Sequence, residues 1–192
     1  MSRFRETPRQ VWQLLRRNLI APPVTQAPIE PTYVAGLFST ASGIGESARL
    51  CANALEAGGV DVVRLDLSDA LDQRDLGELG AAALRSLPCM GTLILHLNAP
   101  ETETALVKLK LYRPRRWRIV GYWAWELETL PTDWAYGSRY LTEVWTPSRF
   151  SAEAIRRQTD KAVKIVPHAI RVPETLQSRG ASRRSLNGHL RV

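Results

Sequence analysis

Short apolar runs recur along this chain and are separated by polar segments that contain glycine. This pattern is typical of alternating strands and helices. An apolar run at 33–38 is followed by a glycine loop, and apolar positions then recur at helical spacing over 44–55. Gly58 and Gly59 lead into a second β-rich run at 60–66. The pattern predicts a strand, a loop, a helix and a second strand in that order.

The same alternation continues to about residue 166. It predicts a helix at 75–86, a buried strand at 91–98, a helix at 103–111, a strand at 119–123, a helix capped by Ser148 and ending at Arg157, and a strand at 163–166, with Trp145 on or near a further strand. The run at 91–98 is almost continuously apolar, which is typical of a parallel strand covered on both faces. We therefore expect an α/β fold, a Rossmann-like parallel sheet with helices on both faces.

The two ends of the chain differ from this central pattern. Residues 1–31 are predicted to form a short basic amphipathic helix and a proline-rich linker, which we expect to be separable from the domain. The domain proper is predicted at 32–173. Residues 174–192 are basic, have no periodicity and are predicted to be disordered. The first helix either packs on the domain or lies on an anionic membrane surface.

The charge of the chain is concentrated at its ends. Of the net charge of +7, residues 1–20 and 171–192 contribute most, since each end has five arginines against one glutamate. The central part is nearly neutral, so we expect no nucleic-acid partner. Two cysteines and no paired metal-ligand spacing predict neither a disulfide framework nor a metal site. This cysteine usage fits a reducing cytoplasm, so we expect a cytoplasmic protein. No run has membrane-spanning length, and peripheral contact with the inner face of the membrane is the alternative.

The loop after the first strand is the first candidate site. Gly43, Ile44 and Gly45 open the predicted helix, where free amides and the helix dipole favour an anion such as a sugar phosphate. The loop also fits a loose dinucleotide-binding pattern, with Asp66 at the distance of a ribose-binding acid. However, Ser39 to Ser42 make it longer than the tight dinucleotide turn. A plain strand-to-helix turn that needs glycine only for its geometry is the remaining alternative.

Aromatic residues and a carboxylate follow the fourth predicted strand and form the second candidate site. Trp123, Trp125 and Trp134 offer faces on which sugar rings pack, and Glu126 can accept hydrogen bonds from hydroxyl groups. These tryptophans are equally well explained as core residues. Asn98 lies where the buried strand ends, at the edge where open α/β sheets bind ligands. His96, inside that strand, is interpreted as a hydrogen-bonded interior histidine.

Taken in order, these segments resemble a known family. They are Ser42 to Gly45, Trp123 to Glu126 with Pro131 and Trp134, Glu143 to Phe150, and Val166 to His168. Together they resemble the N-terminal, acceptor-side half of a retaining glycosyltransferase of the two-domain GT-B architecture, family 4 type. The resemblance implies hexosyl transfer from a nucleotide-sugar co-substrate to a saccharide or lipid-linked acceptor, without a metal or other cofactor.

The resemblance also implies roles for individual residues. Gly43 and Gly45 would face the donor phosphates, Asn98, Trp125 and Glu126 would lie at the cleft, and His168 would mark the crossover to a second domain. No second domain follows in this sequence, so we expect a truncated form that transfers no sugar alone unless a separate chain supplies the missing half. A nicotinamide-dinucleotide oxidoreductase domain and a non-catalytic carbohydrate-binding or interaction module are the alternatives.

Overall fold

The strands and helices of the chain alternate as the apolar pattern predicts. A computed structural model describes residues 20–23, 27–73, 87–114 and 116–170. The strands are β1 (Thr32–Gly36), β2 (Val62–Asp66), β3 (Gly91–His96), β4 (Trp117–Tyr122), β5 (Glu143–Thr146) and β6 (Ala162–Ile165), and the helices are α1 (Gly43–Ala57), α2 (Ala99–Lys108), α3 (Thr132–Gly137) and α4 (Arg149–Arg156). The predicted N-terminal helix, the helix at 75–86 and the tail at 174–192 lie outside the described residues.

The strands form one six-stranded parallel sheet in the order β2-β1-β3-β4-β5-β6. Ala35 of β1 pairs with Leu65 on one side and with Leu95 on the other. The chain therefore runs outward from β1 to β2 and then crosses to β3 on the opposite side of β1. This crossing creates a topological switch point between β1 and β3, where parallel sheets bind ligands beyond the carboxyl ends of their strands.

Helices cover both faces of the sheet, as predicted. Leu93, Leu95 and Ile119 are fully buried on one face, in the cluster that contains α2 and α4. Ile94 and Val120, which alternate with them, pack on the other face with residues of α1. This alternation follows from the period-two geometry of a strand, because successive side chains point to opposite faces.

Close contact between α1 and the sheet depends on a glycine in β1. A Cβ atom added at Gly36 would lie 2.9 Å from Cβ of Ala48 and 3.2 Å from Cβ of His96. Because Gly36 has no side chain, the second turn of α1 packs directly on the ends of β1 and β3. The position of α1 relative to the sheet is therefore set by a residue outside the glycine loop.

The chain that precedes β1 is attached to the domain. Ile20 is 2% exposed and belongs to the core, and the backbone amide of Ala21 donates to the carbonyl of Tyr112 over 3.0 Å. Further along, Thr92 Oγ1 accepts from the amide of Ile29 and donates to its carbonyl, both over 2.8 Å. The folded unit thus includes residues that the sequence pattern assigned to a separable linker.

Some element boundaries differ from those predicted. Helix α2 begins at Ala99, four residues before the predicted start, because Pro100 is well suited to a first helical turn. Helix α3 was not predicted, since its six residues are too few to show a helical period. Within the parts of the chain that the structure describes, no helix has the length and apolar character needed to cross a membrane.

Candidate functional site at the carboxyl edge of the sheet

The loop between β1 and α1 is ordered by its own side chains. Ser42 is the N-cap of α1, and its Oγ accepts a hydrogen bond of 3.1 Å from the amide of Gly45. Thr40 Oγ1 lies 2.7 Å from Ser42 Oγ and donates to the carbonyl of Leu37 over 3.0 Å. A Cβ at Gly45 would lie only 2.5 Å from that carbonyl oxygen. Position 45 therefore requires glycine for packing, and its amide is already occupied.

Gly43 is in a different situation from Gly45. It is exposed, and no atom lies within 4 Å of the position that a Cβ would take. Gly43 and Ile44 open α1, where helical geometry leaves backbone amides without a partner inside the helix. The positive end of the helix dipole adds to the attraction of an anion. Of the two glycines that the sequence singled out, Gly43 is the one accessible to a ligand.

Asp66, the last residue of β2, connects β2 to the same loop. Its Oδ2 accepts from Ser39 Oγ over 2.5 Å, and its Oδ1 accepts from the amide and the hydroxyl of Ser68 over 3.0 and 2.6 Å. Burial acts to raise the pKa of Asp66, but the hydrogen bonds from Ser39 and Ser68 outweigh it and leave the pKa lowered. Both oxygens of this carboxylate are thus engaged in holding the loop.

Asn98 lies beside the switch point and joins the ends of two strands. It precedes α2 as the N-cap residue, but its side chain makes no capping bond. Instead its Oδ1 accepts from the amide of Ala124, which follows β4, over 3.3 Å. Asn98 is only partly buried. Its side-chain amide group therefore lies at the carboxyl edge, where the sequence predicted a ligand contact.

The predicted aromatic cleft residues have unequal exposure. Trp123 is completely buried, in edge-to-face contact with Trp134 at 6.2 Å between ring centroids, so it offers no surface to a sugar. Trp125 and Trp134 are partly buried and pack together at 4.5 Å. The carbonyl of Trp125 accepts from Ser151 Oγ of α4 over 2.6 Å, which fixes this turn. Glu126 is exposed, outside the layer between sheet and helices.

A cluster of four polar side chains, the histidine network, lies on the face of the sheet that α1 covers. It comprises Ser47, His96, Tyr122 and His168. Ser47 Oγ lies 3.2 Å from Nδ1 of His96 and 3.0 Å from Nδ1 of His168, and the hydroxyl of Tyr122 lies 3.2 Å from the latter atom. The rings of His96 and Tyr122 stack at 4.5 Å. His168 is thus joined to residues that were not among the predicted site residues.

His96 is the buried member of this network, with no exposed surface. Burial, with a smaller contribution from the charge of His168, lowers the pKa of His96 to about 3. The imidazole is therefore neutral at pH 7. Its Nε2 is buried and has no hydrogen-bond partner among the described residues. The sequence predicted a hydrogen-bonded interior histidine, and the structure shows such a bond at Nδ1 only.

Six of the nine predicted site residues form two groups at the carboxyl edge of the sheet. Gly43 and Ile44 lie at the start of α1 and Asn98 at the end of β3, next to the switch point. Trp125, Trp134 and Glu126 follow β4, and Asn98 links the two groups through its bond to Ala124. Among the residues that the structure describes, no group of three His, Cys, Asp or Glu side chains is placed to hold a metal ion.

Comparison of the chain with protein-family models, with curated proteins and with solved structures gave no match.

Proposed function

We propose that this chain forms the acceptor side of a nucleotide-sugar-dependent glycosyltransferase of the retaining, two-domain type that its sequence resembles. The observation on which the proposal rests is the exposed start of α1 at Gly43, beside the switch point between β1 and β3. Free amides and a helix dipole at the carboxyl edge of a parallel sheet favour a diphosphate. A sugar attached to that diphosphate would lie over the adjoining edge.

The engagement of Asp66 favours this proposal over a nicotinamide-dinucleotide domain. A dinucleotide site uses the acid at the end of the second strand to bind the ribose hydroxyls. Here that carboxylate already accepts hydrogen bonds from Ser39 and Ser68. Binding a ribose would break these bonds and loosen the loop before α1. We therefore expect no saturable binding of NAD.

The second part of the proposed site would hold the acceptor. The side-chain amide of Asn98 and the carboxylate of Glu126 offer polar contacts for hydroxyl groups, and the partly exposed rings of Trp125 and Trp134 offer apolar contact to a sugar face. In this proposal His168 lies at the margin of the cleft. A saccharide or lipid-linked acceptor fits this mixture of contacts.

The proposal is tested by placing a negative charge where the diphosphate would bind. Gly43→Glu introduces a carboxylate at an exposed first-turn position that is compatible with a side chain, and an acid there favours the helix. Ala57→Glu is the matched control, since it adds the same charge at the exposed far end of α1, roughly 20 Å away. Both variants should fold as the parent chain does.

Calorimetric titration with UDP-glucose, GDP-mannose and NAD provides the measurement. We expect one nucleotide sugar to bind with a dissociation constant on the order of 1 mM. Gly43→Glu should weaken that binding roughly tenfold, whereas Ala57→Glu should leave it nearly unchanged. We expect no measurable transfer by the chain alone, because one side of a cleft does not position donor and acceptor together. Equal effects of the two variants, or tighter binding of NAD, would refute the proposal.

A further inference from the structure

Four cations and a tyrosine are exposed together where α2 ends and the chain turns into β4. These side chains, which we call the amino-edge patch, are Lys108, Lys110, Tyr112, Arg113 and Arg116. Helix α2 follows the carboxyl end of β3 and precedes the amino end of β4, so the patch lies at the amino edge of the sheet. It is therefore at the opposite edge from the start of α1.

Buried residues between these side chains hold the turn in place. Leu109 and Leu111 belong to the core, and Pro114 is buried as well. The amide of Leu111 donates to the carbonyl of Leu106 over 2.9 Å, and the amide of Trp117 donates to the carbonyl of Pro114 over 3.0 Å. The cations are thus presented by a packed, hydrogen-bonded turn.

Lys110 occupies a position that the fold alone would give to glycine. Its backbone is left-handed, with a φ of 57°, and its amide donates to the carbonyl of Val107 over 3.0 Å. Together with the bond from Leu111 to Leu106, this is the helix ending at which glycine is the usual residue. A lysine in this conformation is strained relative to glycine. This outlier points to a role for the charge.

No acidic side chain neutralises the amino-edge patch. Within the part of the chain that the structure describes, none of its four cations forms an ion pair. Residues 107–118 contain six Lys or Arg and no Asp or Glu, whereas the rest of 21–170 contains seventeen Asp or Glu and ten Lys or Arg. The dipole of α2 favours a cation in its last turn, but Arg113 and Arg116 lie beyond the reach of that effect. An anionic surface would therefore attract the domain by this edge and repel the rest of it.

The N-terminal segment enters the domain beside the amino-edge patch. The amide of Ala21 donates to the carbonyl of Tyr112 over 3.0 Å, and Ile20 is buried. The five arginines among residues 1–19 are therefore tethered next to the patch. Apolar residues recur at helical spacing in the same segment, at 11, 12, 15 and 19. They favour a lipid bilayer over a nucleic acid, which has no apolar phase to accept them.

We propose that the amino-edge patch docks this protein on the surface of an anionic lipid bilayer. Its four cations lie at the headgroup phosphates, and Tyr112 lies at the interface, where aromatic side chains with a polar tip are favoured. This docking does not depend on the proposed glycosyl transfer. It leaves the start of α1 and Asn98, at the carboxyl edge, facing the aqueous phase.

The first test is co-sedimentation of the full chain with vesicles of equal parts phosphatidylglycerol and phosphatidylcholine, compared with vesicles of phosphatidylcholine alone. Arg113→Gln removes one cation of the patch and should lower the partition coefficient on the anionic vesicles about fivefold. Arg149→Gln is the matched control, since Arg149 is an exposed cation at the start of α4, at the carboxyl edge, and it should leave partitioning nearly unchanged. Equal effects of the two variants, equal binding to both kinds of vesicle, or release from the anionic vesicles by DNA at the same phosphate concentration would overturn the proposal.

The second test uses Lys110→Gly, which relieves the left-handed strain and removes one cation of the patch. We expect a higher urea concentration at the midpoint of unfolding together with an about fivefold lower partition coefficient. A lysine that serves only the helix end would change stability and leave partitioning as it is. Unchanged partitioning in both Lys110→Gly and Arg113→Gln would show that the chain binds vesicles through other segments and would refute the proposal.

Discussion

Acidification should destabilise this protein through His96 before its carboxylates are protonated. In the unfolded chain a histidine titrates near pH 6.5, whereas burial lowers the pKa of His96 to about 3 in the folded protein. Between these values the unfolded state binds a proton that the folded state does not. The contribution of neutral His96 to stability is therefore complete above pH 6.5 and is lost as the pH falls toward 3.

The free energy of unfolding should fall by about 1.4 kcal/mol for each pH unit below the pKa of histidine in the unfolded chain. Between pH 7 and pH 5 the loss amounts to about 2 kcal/mol. Asp66 and Glu143 do not contribute in this range, because both have lowered pKa values and lose their stabilising effect only in more acidic solution. Burial raises the pKa of Glu101, so this residue acts in the opposite direction and adds stability as the pH falls. Glu101 is present in the parent chain and in both variants, so its effect cancels when their losses of stability are compared.

Urea unfolding followed by tryptophan fluorescence at pH 7, 6 and 5 measures this effect. His96→Phe retains a ring and removes the titrating group, so it should lose about 2 kcal/mol less than the parent chain over the same range. Tyr122→Phe is the control, since it alters the same network without removing a group that titrates between pH 5 and 7, and it should keep the parental slope. If His96→Phe and the parent chain lose equal stability between pH 7 and pH 5, burial does not keep His96 neutral over this range, and our account of His96 is wrong.

Three further predictions concern stability and use the same unfolding assay at pH 7. Ile20→Ala should cost about 3 kcal/mol because Ile20 lies in the core, so deletion of residues 1–28 should destabilise the protein. Gly45→Ala should cost more than 1 kcal/mol because its Cβ would meet the Leu37 carbonyl at 2.5 Å, whereas Gly43→Ala should be neutral or stabilising. Glu143→Leu should cost about 3 kcal/mol, because it leaves the buried Arg118 unpaired and also removes the acceptor of Trp145 Nε1 and Lys164. Addition of Arg118→Met should restore the part that is due to Arg118; equal losses in the single and double variants would contradict this reasoning.

The parallel sheet was predictable because its strands are short apolar runs bounded by polar residues. The run at 91–98 contains β3, and Ser148, predicted as a cap, does accept from the amide of Ser151 at the start of α4. The glycine loop was correctly placed between the first strand and the first helix. These features depend on local pattern and spacing, which a single sequence contains.

The division of roles within the candidate site was not predictable in the same way. Gly43 and Gly45 look alike in the sequence, and only the packing of the loop against Leu37 distinguishes them. The histidine network joins Ser47 to His96, which is 49 positions away in the sequence, and to His168, which is 121 positions away. No local spacing in the sequence therefore indicates the network. Trp123 was equally consistent with a core and a surface role, and the register of the chain after β4 placed it in the core.

Helix α1 contributes to the proposed diphosphate site and to the histidine network through different turns. Its first turn presents Gly43 at the carboxyl edge, while Ser47, one turn later, is hydrogen-bonded within the histidine network. Gly36 sets the position of the whole helix, since a Cβ there would press on Ala48. A larger residue at position 36 would therefore move α1 and disturb both the start of α1 and the histidine network. A charge introduced at position 43 would affect only the start of α1, at the carboxyl edge of the sheet. The start of α1 and the histidine network are therefore separable, because a substitution at the exposed Gly43 would leave the network around His96 intact.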